Sequence, residues 1–432
     1  MLTFLGLASI AVLLALILFR LTSVLVALTI VPIAAGLAGG FAPDIGEFAM
    51  DGMRNVAPTA ALLAFAVLYF GLMHDAGLFE PIIRRVLALV GHDPLKVVLG
   101  TAAVATIAHL DGAGASTFMV TVPAMLPLYA RLGMDPLALT CTTALAAGTM
   151  NILPWGGPAS RVATVLQLSV TEVFAPLVVA TAAGMVSVFV FAAVIGYGER
   201  RRLSTRSPSE PDADAPAGHV TTPHRPVNGA WWFNATLTIA TLVTLVVELV
   251  PLPVIFLVAS AAALLFNFPA PRVQQERLIA HASSAMVMVT TVLAAGLFSG
   301  IMTKTGMLTA MARDVVGALP SFAVEHLAVG VAVASMPLSL AFDPDSFYFG
   351  VLPVLSAAAE TAGGSGLEVA RAALLGQMTT GFPVSPLTPA TFLLVGIAQV
   401  DLADHQRRTI PYAFAVTLVM TLAALATGAI RW

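Results

Sequence analysis

Charge is scarce in this 432-residue chain: Asp, Glu, Lys and Arg together make up 10% of it. A soluble surface takes about a quarter of all residues as charged groups, so a water-coated globule is excluded. The net charge of −3 leaves no basic excess and argues against nucleic acid as a partner. Cysteine occurs once, as Cys141 in an apolar run, which excludes an intrachain disulfide and a cysteine-based metal cluster. HExxH, Walker and Rossmann signatures are absent, as is any nucleophile–base set, so no enzyme and no permanently bound cofactor are expected. The first residues carry no basic n-region; Met1 onward reads as a first spanning helix, not a cleaved signal peptide.

What is present is apolar. Hydrophobic residues reach 58% and the mean hydropathy is +0.93. A helix needs about 20 residues to cross a bilayer, and apolar runs predict spans at 2–19, 22–42, 57–76, 174–197, 230–250, 253–269, 279–303 and 409–430. Two longer segments, 137–168 and 372–399, carry Pro and Gly near their middles and predict broken helices. Segments 94–130 and 322–359 exceed one crossing and hold Asp, Gly and Pro midway, which predicts re-entrant hairpins. The expected fold is an all-α integral membrane protein of about ten transmembrane helices plus two hairpins. Irregular backbone at membrane depth survives only where protein or a wet cavity covers it, so four interruptions point to one central site.

Residues 198–229 differ in kind, being rich in Arg, Ser, Pro and Asp, and predict a disordered linker. It separates an N-terminal repeat, 1–197, from a C-terminal repeat, 230–432. With the linker in the cytoplasm, most basic residues fall inside, from Arg20 and Arg84 through Arg206 and Arg225 to Arg407 and Arg408. Arg54, Lys304, Arg313, Arg371 and Arg431 fall outside. FGLMHDAGLF at 70–79 matches SGIMTKTGML at 299–308, and GGPAS at 156–160 matches LTPAT at 387–391. Under this topology the first hairpin enters from the cytoplasm and the second from outside. The repeats are then inverted, as in many secondary transporters.

The first hairpin turns at His109–Thr117. Gly112 and Gly114 permit a tight turn and close backbone approach, and the half-helix that follows offers its N-terminus, Ser116 and Thr117 to a carboxylate. Asp111, a carboxylate at membrane depth, is a candidate for metal or proton coupling; the competing reading is a cap on the half-helix. The second hairpin turns at Phe342–Gly350. Asp343 and Asp345 flank Pro344, and two acids so close cannot both be caps, so one of them, with Asp345 favoured, is expected to face a cation or proton. Ser346 beside them is a candidate substrate contact, and Tyr348 reads as packing. The broken helices contribute Asn151, Gly156, Gly157, Ser385 and Thr388 as candidate substrate contacts, their freed carbonyls suiting a hard cation. For Ser160 and Thr391, bonding to their own helices competes with a role in the site. His74 and Asp75 are placed at the interface, and Arg84 and Arg85 on a short interfacial helix at 78–91. Arg161 lies inside an apolar run, where it either neutralises an acidic substrate or reaches for the rim.

Several stretches carry a family resemblance. APTAALLAFAVLYFGLMHDAGLFEPII at 57–83, DPLKVVLGTA at 93–102, AMLPLYARLGMDPL at 124–137, MNILPWGGPASR at 150–161, FYFGVLPVL at 347–355, SPLTPATFLLVGIA at 385–398 and VDLADHQR at 400–407 resemble the bacterial citrate–metal–proton symporter (CitMHS) family of the ion-transporter superfamily. The resemblance runs over about residues 1–430, the linker excepted. It implies proton-driven uptake of citrate complexed with a divalent cation, Mg²⁺ or Ca²⁺, by a homodimer in the bacterial plasma membrane, with elevator-like movement. The family's first hairpin reads Asp-Gly-Asp-Gly. Here Ala113 stands at the second acid and His109 where a small polar residue is expected, a departure that bears on metal preference and coupling. The nearest alternative is a sodium- or proton-coupled carrier of another di- or tricarboxylate without metal. A membrane-embedded enzyme or a channel is the reading from a different class.

Overall fold

The computed structural model describes residues 1–19, 21–205, 229–247, 250–318 and 320–432. Arg20, Arg206, Arg225 and most of the predicted linker therefore lie outside the described residues. Among the described residues the regular structure is entirely helical. The first half runs α1 (Leu2–Leu18), α2 (Val24–Ala38), α3 (Ile45–Asp75), α4 (Glu80–Val90), α5 (Pro94–Ala108), α6 (Gly114–Arg131), α7 (Pro136–Met150), α8 (Gly157–Leu166), α9 (Val170–Phe174) and α10 (Val178–Ser204). The second runs α11 (Gly229–Val247), α12 (Leu252–Asn267), α13 (Pro271–Lys304), α14 (Met307–Ala318), α15 (Ser321–Glu325), α16 (Leu327–Leu338), α17 (Leu352–Thr361), α18 (Gly366–Leu374), α19 (Pro389–Ala398) and α20 (Leu402–Ala426).

One succession occurs twice: a very long helix, a short one, a hairpin (α5–α6, α16–α17), a broken helix (α7–α8, α18–α19) and a closing long helix. Backbone details recur with it. The turns after α3 and α13 each use a glycine at φ 74°, Gly77 and Gly306. Helices α8 and α19 each end on a glutamine in the left-handed region, Gln167 at φ 55° and Gln399 at φ 53°. A non-glycine residue with positive φ is uncommon, and here one stands at the same point of both successions.

The predicted interruptions stand where Pro, Gly and Asp placed them, but several helices outrun the predicted spans. Helix α3 starts at Ile45 instead of 57, α13 at Pro271 instead of 279, α20 at Leu402 instead of 409, and α10 continues to Ser204 through residues read as linker. Apolarity is required only inside the bilayer, so a hydropathy window stops where a helix enters water. The polar extensions hold by other means. Asp51 pairs with Arg54 at 3.4 Å on α3 and with Lys304 of α13 at 3.7 Å. Glu199, buried near the end of α10, accepts from the Asp135 backbone N–H at 3.0 Å and from Arg202 Nη2 at 2.8 Å. Arg408 of α20 closes this cluster on Asp135 at 2.5 Å.

The longest helices, α3 and α13, pack against each other more extensively than any other pair. Glycine makes the crossing possible: a Cβ on Gly52 would lie 2.1 Å from the Gly296 carbonyl oxygen, and one on Gly300 2.4 Å from that of Phe48. The backbones touch directly, in the manner of small-xxx-small crossings in membranes. Outward faces are apolar, as on α10, where Val186, Val190 and Val194 are all exposed at helical spacing. Among the described residues five helices, α3, α13, α20 and the segments Pro94–Asp111 and Val170–Ser204, are long and apolar enough to cross a membrane.

Candidate functional site

The four interruptions meet in one polar junction. Gly112 at the first tip, with φ 71°, lies against Trp155 and Gly156 of the first break, whose indole N–H donates to the Leu110 carbonyl at 2.8 Å. Gly114, the next turn's first residue, faces Phe382 of the second break; a Cβ there would lie 2.2 Å from the ring. Phe382 in turn stacks on Phe118 with an interplanar angle of 9°.

A buried chain of polar groups joins three of the elements. Asn151 Nδ2 donates to the Met378 carbonyl at 2.6 Å, which leaves Oδ1 as an acceptor 3.3 Å from His109 Nε2. In the neutral ring, Nε2 then carries the proton and Nδ1 accepts from the Thr117 hydroxyl at 2.8 Å. His109 thus serves as an internal connector, which explains a ring where a small polar group was expected. Met378 itself sits at φ 53°.

The second hairpin is tied to the second break in the same way. Ser339 Oγ lies 3.0 Å from Gln377 Oε1 and accepts from the Met378 N–H at 2.9 Å; Tyr348 Oη donates to the Gln377 carbonyl at 2.6 Å; Ser385 Oγ donates to the Ser339 carbonyl at 2.5 Å. Thr388 and Thr391 converge on the Phe382 carbonyl at 2.9 and 3.0 Å. Thr391 therefore takes part in the junction, whereas Ser160 bonds Gly157 of its own helix. Gln377, Ser339 and Met378 were not singled out in the sequence; a lone glutamine within LLGQMTTGFPVS is a signal for Gln377 and Met378, and nothing local marks Ser339.

The acids divide by role. Asp111 accepts from the Ala113 N–H at 2.8 Å and from the Ser116 hydroxyl. Asp343 accepts from the N–H groups of Asp345 and Ser346 at 2.9 and 3.0 Å and from the Ser346 hydroxyl at 2.6 Å. Both hold their tips. Asp345 does not cap; its Oδ1 lies 2.7 Å from Arg161 Nε. Immediately after it, Ser346–Val351 forms a π-helical turn, a distortion found often at functional sites. Among the described residues no three His, Cys, Asp or Glu side chains gather as a metal cluster.

Three half-helices begin at this junction: α6 at Gly114, α8 at Gly157 and α19 at Pro389. No side chain caps any of them, although Asp93, Asp135, Ser169, Ser365 and Asp401 cap α5, α7, α9, α18 and α20 elsewhere. Their first-turn N–H groups and positive dipole ends suit an anion. Beside the first tip lies a cavity of about 550 Å³, lined in part by His74, Glu80, Arg84, Asp111, Ser116 and Arg277.

A multi-pass helical membrane protein with paired breaks around one polar junction is a transporter, not an enzyme. The chain belongs to the citrate transporter family, CitMHS, which it matches over residues 3–376. It is 44% identical over 433 residues to a citrate transporter of Bacillus subtilis (strain 168), all of both chains being covered. It is 38% identical over 432 residues to the Mg(2+)/citrate complex secondary transporter of the same organism, covering 100% of this chain and 99% of the relative. The fold is similar to the YdaH transporter of Alcanivorax borkumensis, with a TM-score of 0.64 at 15% identity over 90% of this chain and 89% of that one. MtrF of Neisseria gonorrhoeae gives 0.61 at 14% identity, over 90% and 85%. At such identities the likeness is one of fold alone.

Proposed function

We propose that the protein imports citrate complexed with a divalent cation, Mg²⁺ or Ca²⁺, across the bacterial plasma membrane in symport with protons. The observation that carries this reading is the convergence of three uncapped half-helix N-termini on one polar junction, an arrangement suited to several carboxylates at once. Kinship to a Mg(2+)/citrate complex secondary transporter supports the metal. Citrate brings its own ligands to that metal, so the protein need add few. Gly112, Gly114, Ser116, Gly156 and Gly157 border the carboxylates in this reading, with Asn151, Thr117, Ser346, Ser385 and Thr388 holding the junction's shape.

The recurring order of elements supports two inverted repeats, with α5–α6 entering from the cytoplasm, α16–α17 from outside, and the linker cytoplasmic. The superfamily resemblance supports a homodimer with elevator-type movement.

The test is uptake of radiolabelled citrate by purified protein in liposomes under an imposed proton gradient, with and without Mg²⁺ or Ca²⁺. Uptake is expected to need both metal and gradient. Equal uptake with the metal chelated would assign a metal-free carboxylate carrier instead.

A further inference from the structure

Resting on the carboxylate-carrier reading, we infer that Arg161 grips a substrate carboxylate and that Asp345 is the internal competitor the substrate displaces. The pair joins the first half to the second: Arg161 leads from α8, Asp345 from the tip of the second hairpin, 184 residues apart, with Nε to Oδ1 at 2.7 Å. It is not sealed. The side chains are 25% and 17% exposed, whereas Asn151, His109, Ser346 and Ser385 around the junction are buried. A bond serving cohesion alone needs no access; a binding group does.

Gly157 shows where the guanidinium lies. A Cβ at that position would stand 2.7 Å from Arg161 Nη1, so the missing side chain leaves room for the charge to fold back over the first turn of α8, whose N-terminus no side chain caps. Arg161 bonds Asp345 through Nε, and Nη1 and Nη2 make no hydrogen bond among the described residues. The Nη1–Nη2 edge of a guanidinium matches the two oxygens of a carboxylate. Asp345, for its part, is free of capping duty because Asp343 supplies it.

The exchange conserves charge. A substrate carboxylate takes the guanidinium and the α8 N-terminus, and Asp345 leaves the pair as a carboxylate without its cation. It then accepts the positive charge that travels with the substrate, a metal face of the complex or a proton. Arg161 becomes a specificity-determining residue, and binding of the anion becomes the event that readies Asp345 for its cation.

The experiment compares wild type, Arg161→Gln, Asp345→Asn and the double variant Arg161→Gln/Asp345→Asn by citrate uptake in liposomes, with thermal stability measured on each. A pair that served structure alone would be damaged by either single change, through the charge left behind, and restored by the double. The inference expects the double variant to regain stability but to keep a citrate KM raised about ten- to a hundredfold, as in Arg161→Gln. It also expects Asp345→Asn, with metal chelated, to bind citrate more tightly than wild type in titration calorimetry, its competitor being gone. A double variant with wild-type KM, or an Asp345→Asn protein that binds citrate more weakly, overturns it. If the wild type transports no citrate under any condition, the functional reading fails instead, whatever the variants do.

Discussion

The side-chain amide of Asn151 reaches two elements beyond its own: the His109 ring of the first hairpin and the Met378 carbonyl of the second break. Both partners lie buried in the junction. Asn151→Ala strands a ring nitrogen and a carbonyl, at about 1–3 kcal/mol for each group left unpaired. The expected outcome is a clear fall in the thermal midpoint of the purified protein, while Ser160→Ala, which loses one hydrogen bond to a carbonyl of its own helix, costs less, about 0.5–1.5 kcal/mol. Ala113 shows how far single residues could be read. It is the N-cap residue of α6 and has no group to cap with; Asp111 reaches forward from two residues earlier and holds the turn through Ser116 and the Ala113 N–H. That an acid belonged near this tip was legible, and so was the division between Asp343 and Asp345. The cation facing Asp345 was not, because a partner 184 residues away leaves no trace in local spacing.

Among the elements, interruptions were easier to read than ends. Pro154, Pro158, Pro386 and Pro389 lack the N–H that continues a helix ladder, Gly156 weakens one, and the breaks fall among them. Ends depend on where water begins, and polar helical turns such as 198–204 look like linker when composition is the only guide. The base of the first hairpin shows what such a turn does. Arg200, near the end of α10, pairs with Asp93, the cap of α5, and this guanidinium holds the Asp93 carboxyl below the ordinary carboxylate range. Because the folded value is the lower one, the bond's contribution is complete above the unfolded value of about 4 and disappears as pH falls through the folded value. In thermal melts from pH 7 down to pH 3, Asp93→Asn is expected to melt below wild type at neutral pH and to converge with it in acid. The pair is partly exposed, so the gap should be small and should shrink further with added salt.

Across the whole molecule, the two halves are pinned at the crossing of α3 and α13. Gly52, Gly296 and Gly300 let backbone meet backbone, and Gly300→Leu is expected to cost about 1–3 kcal/mol or more through overpacking, read as a lower melting point and a smaller monodisperse fraction in size-exclusion chromatography. Gly317→Ala, with nothing within 4 Å of the new Cβ, serves as the control and should be neutral or slightly stabilising. In the sequence these glycines are lost among the 34 of the chain, because what makes them special is the helix opposite. The crossing also has a mechanical side. Where backbone meets backbone at these glycines no rotamer can absorb a shift, so α3 and α13 are expected to move together as one beam. If the tips travel across the bilayer, the displacement has to be taken up at the ends of that beam. The joints that can yield there are the matched turns at Gly77 and Gly306, one leading into each hairpin.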